Sequence, residues 1–140
     1  SSITFDGSGQ LQANTSASER VKKTYLAMEA IAIGDPVYPG STAGRVGKAD
    51  TDTDAHAHVI GVAVTAAASA GDPVDVVLLG AAPGVLSGAS PNVAYYLKDG
   101  GGLTTSLPAS TKRWIQIGYS NADDYVTDLT VQIIDRGRKP

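Results

Sequence analysis

One predicted β-hairpin, residues 59–79, constrains the fold more than any other stretch, because its plan recurs later in the chain. Side chains alternate between the two faces of a strand, and both apolar runs of the hairpin follow that alternation. The alternating positions are Ile60, Val62 and Val64 in the first run and Val74, Val76 and Leu78 in the second. The turn between the runs contains Ser, Gly and Pro, residue types that set turn geometry.

The recurrence lies near the C-terminus, in residues 115–133, where Gly118 corresponds to Gly61. The repeated apolar positions are Leu129, Val131 and Ile133, which correspond to Val74, Val76 and Leu78. The spacing is about 55–58 residues, longer than the repeats of most solenoid proteins. We therefore predict an internal duplication, with half-repeats at about residues 31–80 and 88–135.

The composition agrees with a β-rich fold. Sixteen glycines and seven prolines among 140 residues favour many short strands and turns. The absence of cysteine excludes a disulfide framework and a thiolate site. We predict a single all-β domain over residues 19–135, a compact β-barrel or β-sandwich of about eight short strands.

The N-terminal segment, residues 1–18, is polar and offers only Ile3, Phe5 and Leu11 for burial. Such a segment cannot offset its own ordering entropy, so it is either disordered or an extended arm that folds against a partner. Ile3 and Phe5 alternate as in a strand, which favours an arm that docks on a neighbouring subunit.

Two further segments complete the predicted organisation. Residues 19–33 contain good helix formers after a sequence that resembles a capping box, yet their apolar positions also suit a strand. We predict a strand, because residues 34–38 then form a turn into the next one. Residues 136–140 form a basic C-terminal tail, for which fraying is the expected state.

An acidic stretch begins like the calcium loop of an EF-hand. Its polar residues are Asp50, Asp52, Asp54, His56 and His58. An EF-hand needs Gly at the sixth loop position and Glu at the twelfth, whereas this chain has Ala55 and Gly61 there. We predict a solvated acidic loop, and a less regular metal site is the alternative.

Signals for other chemistry are weak, and we predict neither enzymatic activity nor a cofactor. There is no Gly-x-Ser-x-Gly elbow, and Asp123 and Asp124 fall in a turn, where Asp is common. Residues 100–102 are three glycines without the Lys-Ser/Thr of a phosphate loop, which predicts a hairpin turn. A net charge of −3 argues against nucleic-acid binding, and no apolar run is long enough to span a bilayer.

Several short motifs of this sequence resemble those of the capsid cement, or decoration, proteins of tailed phages. Related β-domains also occur in phage head fibres and tail fibres. The motifs are Gly34-Asp-Pro-Val-Tyr38, the Gly47-Lys48 strand, Ile60-Gly-Val-Ala63 with the alanines after it, and Gly71-Asp-Pro-Val74. The resemblance implies a β-rich domain on the outside of an icosahedral shell, often trimeric, that bridges major capsid subunits. It brings no catalytic residues.

From this resemblance we expect a virion protein made in the host cytoplasm, with the major capsid protein as its partner. A fibre domain involved in host attachment is the alternative, and the lack of a repetitive shaft sequence favours cement. The expected partner-binding residues are Ile3, Phe5 and Leu11 as apolar anchors and Arg20, Lys22 and Lys23 as ionic contacts.

Overall fold

Alternating apolar residues and turn residues produce nine strands in the computed structural model, which describes residues 20–106, 112–120 and 126–138. The strands are β1 (Arg20–Ala27), β2 (Pro36–Pro39), β3 (Arg45–Lys48), β4 (Gly61–Ala63), β5 (Pro73–Ala82), β6 (Ala94–Leu97), β7 (Leu103–Thr104), β8 (Arg113–Ser120) and β9 (Leu129–Arg138). The described residues contain no helix, so the prediction of a compact all-β fold is confirmed. The predicted arm and the Asp123–Asp124 turn lie outside the described residues.

All nine strands belong to one sheet, in the order β1-β3-β2-β4-β5-β9-β8-β6-β7. β1 also pairs with β5, so β1, β3, β2, β4 and β5 form a closed hydrogen-bonded ring. Within residues 19–33, β1 confirms a strand over Arg20–Ala27, which is antiparallel to β5 and parallel to β3, whereas residues 28–33 belong to none of the nine strands. A barrel or sandwich that includes all nine strands stays a prediction.

Two apolar cores lie on opposite sides of the β4–β5 pair. The core inside the ring includes a buried residue from each ring strand: Ala27, Val37, Val46, Ala63 and Val76. The second core joins Val62 and Val77 to buried residues of the second half, including Leu97, Ile115, Ile117, Leu129 and Val131. Because neighbouring residues of a strand point to opposite faces, β4 and β5 serve both cores. Burying each Val, Leu or Ile contributes about 1.5–3 kcal/mol.

The predicted central hairpin is thus the wall between the two cores. Val62 lies opposite Val77 in the register of β4 and β5, as a hairpin requires. One detail of the prediction is wrong: Ile60 packs against the core inside the ring, whereas Val62 belongs to the second core. Ile60 precedes β4, and its amide donates to the Val37 carbonyl at 3.0 Å, so the alternation does not extend back through Gly61.

The two halves of the sheet share one pairing plan. In the first half β3 pairs with β2, β2 with β4, and β4 with β5, always antiparallel. In the second half β7 pairs with β6, β6 with β8, and β8 with β9 in the same way. The halves meet where β5 pairs with β9, with Gly80 opposite Val131. The duplication and its boundaries stay a prediction that this plan supports.

The end of the chain differs from the predicted basic tail. β9 continues to Arg138, which lies opposite Arg113 of β8, so residues 136–138 belong to the sheet. Strand pairing with β8 supplies the backbone hydrogen bonds that a frayed terminus lacks. Residues 139–140 lie outside the described part.

Candidate interaction surface

An open strand edge lies where the chain enters the described domain. β1 pairs with β5 over residues 20–26, but on its other side it pairs with β3 only at Leu26 and Ala27. Within the described ranges, Arg20–Tyr25 therefore has one edge without a neighbouring strand. An open edge presents backbone donors and acceptors that an extended segment of another chain can pair with.

Arg20, Lys22 and Lys23, the predicted ionic contacts, all lie on β1 beside this edge. The Lys22 ammonium is 3.6 Å from the Asp75 carboxylate of β5, which also accepts a hydrogen bond from the Thr24 hydroxyl at 2.5 Å. The Lys23 ammonium lies 5.3 Å from the centre of the Tyr25 ring. Exposed pairs of this kind add little stability, so these cations are available to a partner.

The other predicted contacts, Ile3, Phe5 and Leu11, lie outside the described residues. The structure therefore brings together half of the predicted binding set, on one strand that directly follows the predicted arm.

Sequence reasoning missed an exposed apolar pair beside the cations. Val21 lies opposite Leu79 in the β1–β5 register, and the two residues are 51% and 53% exposed. A signal was present: residues 76–79 are four apolar residues in a row, and a strand cannot turn all of them to the same core. Val21 and Leu79 extend the β1 surface with an apolar contact area.

Residues 52–55 of the acidic loop are exposed, as a solvated loop requires, but other contacts hold this loop against the second half of the sheet. Thr51 is 2% exposed, and its hydroxyl donates to the Asp99 carboxylate in the second half. The Asp50 carboxylate accepts a hydrogen bond from the Gly100 amide at 3.0 Å. The Asp54 carboxylate lies 3.8 Å from the Arg113 guanidinium of β8. These three contacts fasten the loop across the two halves.

The predicted glycine turn is confirmed and has a second role. Residues 100–102 all have φ near +90° to +105°, a region that glycine enters at little cost, and they connect β6 to β7. The Gly102 carbonyl accepts from the Lys98 amide at 3.0 Å. The same turn supplies the Gly100 amide to Asp50, so it also anchors the acidic loop.

A cavity of about 220 Å³ opens beside this loop. Its lining includes Glu29, Tyr38, Lys48, Asp52 and His56. His56 Nδ1 lies 2.8 Å from an Asp52 oxygen, and the His56 ring lies 4.9 Å from the Tyr38 ring. The Glu29 carboxylate accepts from the Lys48 amide at 3.1 Å.

Two side chains at this cavity, Asp52 and Tyr38, have shifted pKa values. The hydrogen bond from His56 lowers the pKa of Asp52. Burial, together with the nearby Glu29 and Asp52 carboxylates, raises the pKa of Tyr38. Among the described residues, no group of three His, Asp or Glu side chains is placed to hold a metal ion.

The fold and these surfaces define a small all-β structural protein that presents an open strand edge, cations and apolar side chains. Comparison with known protein families shows which kind of structural protein this is. A sequence model of the phage cement protein family matches residues 8–80, just over half of the chain. The chain therefore belongs to the phage cement protein family, and the resemblance noted in its sequence is confirmed.

The match begins inside the predicted arm and ends in β5, so it includes β1 to β4 and residues 73–80 of β5. Members of this family are structural proteins of the phage capsid, which gives this chain a virion location and a general role as capsid cement. A search of curated proteins finds no match. No helix in the described part is long and apolar enough to cross a membrane.

Proposed function

We propose that this protein binds the outside of the assembled icosahedral shell and stabilises it by bridging major capsid subunits. Membership of the cement family supports this role. The structural observation that carries the proposal is the open edge of Arg20–Tyr25, which lies beside three cations and the exposed pair Val21 and Leu79. Backbone pairing supplies affinity at such an edge, and the side chains beside it supply selectivity.

The stabilisation follows from thermodynamic linkage between binding of this protein and assembly of the shell. A protein that binds the assembled shell, and not the separate subunits, stabilises the shell by about 2.7 kcal/mol per site at one hundred times its Kd. We infer that three copies act together as a homotrimer, so that binding of one copy raises the effective concentration of the others. The protein is made in the host cytoplasm, and it joins the shell through Ile3, Phe5 and Leu11 of the arm and through Arg20, Lys22 and Lys23. It performs no catalysis.

The decisive experiment uses shells that lack this protein, heated or osmotically shocked with and without added wild-type protein. We expect the added protein to raise the temperature at which shells open and release their DNA. Equal survival of decorated and undecorated shells would show that the proposed function is wrong. Sedimentation of the free protein tests the homotrimer separately.

Variants then test the surface itself. The double variant Lys22→Gln and Lys23→Gln should bind shells more weakly, with a smaller dependence on salt, because two cations beside the open edge are lost. The matched control is Lys48→Gln with Lys98→Gln, which removes the same charge from positions that do not pair with β1. A further variant, Ile3→Ser, Phe5→Ser and Leu11→Ser, tests the arm. If the β1 variant binds shells as tightly as the control does, β1 is not part of the interface. If the arm variant does so, the arm is not part of it.

A further inference from the structure

A cluster of aromatic and basic side chains lies on the second half of the sheet, away from β1. The Trp114 ring of β8 lies 6.3 Å from the Tyr96 ring of β6 and 5.9 Å from the Arg136 guanidinium of β9. Arg136 also donates a hydrogen bond to the Gln116 side chain at 2.7 Å. We call Tyr96, Trp114, Gln116 and Arg136 the tryptophan platform.

The platform faces away from the second core. Ile115 and Ile117 of β8 belong to that core, and the contacts of Trp114 and Gln116 with Arg136 place these alternate side chains on the other face. Trp114 and Tyr96 are partly exposed, and Arg136 is exposed. Trp, Tyr and Arg are the residue types that dominate binding energy in protein interfaces, and this Trp is the only one in the chain.

The indole of Trp114 has an unmet hydrogen bond. Its Nε1 atom is buried and finds no acceptor among the residues that the structure describes. Leaving a buried donor without an acceptor is unfavourable, and native structures rarely do so without a functional reason. Because Nε1 itself is buried, the part of Trp114 that is open to a partner is its ring surface.

The charge of the platform indicates which kind of group it binds. Arg113, on the same strand as Trp114, is paired with the carboxylates of Asp54 and Asp135. Among the described residues, Arg136 has no ion pair: it donates to the neutral Gln116 side chain and lies by the Trp114 ring. A guanidinium held in this way presents its remaining donors to a carboxylate, which it can bind through two parallel hydrogen bonds.

The geometry points to a second binding surface: the tryptophan platform receives a carboxylate-bearing segment of the shell protein. The carboxylate pairs with Arg136, while the segment packs on the exposed parts of the Tyr96 and Trp114 rings. This inference rests on the proposed function and deepens it. Bridging needs two separate surfaces, and β5 and β9 lie between β1 and the platform strand β8.

Two single variants test the platform with the full-length protein and shells that lack it. Trp114→Phe keeps an aromatic ring but removes the indole N–H and part of the ring surface, so shell binding should weaken about tenfold, and melting temperatures show whether the fold is retained. Arg136→Gln should also weaken binding about tenfold and reduce its salt dependence. Lys98→Gln removes one charge from an exposed turn and is the matched control, with less than about twofold change expected.

Shells whose surface carboxylates have been amidated test the chemistry of the partner segment. Amidation should weaken wild-type binding more than Arg136→Gln binding, because the variant has already lost the carboxylate contact. If wild-type protein binds shells while Trp114→Phe and Arg136→Gln bind equally well, the platform is not an interface and the inference is overturned. If wild-type protein itself does not bind shells, the proposed function fails, which is a distinguishable result.

Discussion

Gly61 of β4 and Gly118 of β8 lie on strands with the same place in the pairing plan, and each is pressed against a backbone carbonyl of the neighbouring strand. A Cβ atom on Gly61 would overlap the Val77 carbonyl oxygen of β5, and one on Gly118 would overlap the Thr130 carbonyl oxygen of β9. Backbone in a paired strand cannot move aside as a flexible side chain can. The predicted repeat aligns these two glycines. In the structure, a side chain on either one would collide with a backbone carbonyl.

We therefore expect Gly61→Ala and Gly118→Ala each to lower the free energy of unfolding by about 3 kcal/mol, at the upper end of the cost of overpacking. Urea unfolding measures this loss. Gly71→Ala is the control, since a Cβ there meets open space and only its positive φ, +91°, is strained. That strain costs about 1–2 kcal/mol. If Gly61→Ala or Gly118→Ala is tolerated better than Gly71→Ala, the close approach to the carbonyl does not explain the glycine.

The hairpin and the all-β class could be predicted because their signals are local. Period-two alternation and turn residues between Ile60 and Leu78 report directly on strands that lie next to each other. The same alternation could have placed Trp114 and Arg136 on one face once β8 and β9 were paired. The missing information was the register, which bulges shift twice along this pair.

The role of the acidic loop could not be predicted, because its partners are distant in sequence. Thr51 and Asp99 are 48 residues apart, and nothing in the local composition indicates that their side chains meet. A run of Asp and Thr has the composition of a solvated loop whether or not one threonine is buried. Likewise, the ring is closed by β1 pairing with both β3 and β5, a long-range event that no local pattern encodes.

Thr51 should matter for stability although it lies in a polar loop. Thr51→Val keeps the shape of the buried side chain but removes the hydroxyl that donates to Asp99, which should cost about 2 kcal/mol. Urea unfolding again measures the change. Thr105→Val is the control, because Thr105 is exposed and the same substitution there should change stability by less than about 0.5 kcal/mol. Equal stability of Thr51→Val and wild type would mean that the loop does not fasten the two halves.

Asp52 should contribute to the acid sensitivity of the protein. Its folded pKa lies below the ordinary value of 3.8 because of the hydrogen bond with His56. The folded state thus binds fewer protons than the unfolded state near that pH, so the stabilisation present above 3.8 is lost as the pH falls through the folded pKa. The stability advantage of wild type over Asp52→Asn should be larger at pH 5 than at about pH 2.5.

The partner of Asp52 provides the control for that experiment. His56→Gln removes the interaction from the other side, so it should also flatten the acid dependence, and the double variant should add little to either single change. Melting temperatures measured across the acid range give all four curves. A wild-type advantage over Asp52→Asn that is the same at both pH values would contradict the assigned cause.

Tyr38 should limit stability at the alkaline end. Burial and the Glu29 and Asp52 carboxylates raise its folded pKa above the ordinary value of 10.0. The folded state therefore keeps the phenol proton longer than the unfolded state does, and the associated stability is complete below pH 10 and is lost as the pH rises through the folded pKa. Tyr38→Phe has no proton to lose, so its stability should decline less steeply above pH 10.

The titration of Tyr38 can also be followed directly by tyrosinate absorbance, as the difference between wild type and Tyr38→Phe. Glu29→Gln removes one of the two carboxylates that oppose ionisation, so it should shift this titration to lower pH without abolishing it. Tyr119→Phe is the matched control, because it removes a phenol hydroxyl from the exposed surface of β8 and should leave the Tyr38 difference curve unchanged. If Glu29→Gln leaves the Tyr38 curve where it was, the Glu29 carboxylate does not act on the phenol electrostatically, and burial with Asp52 sets the shift.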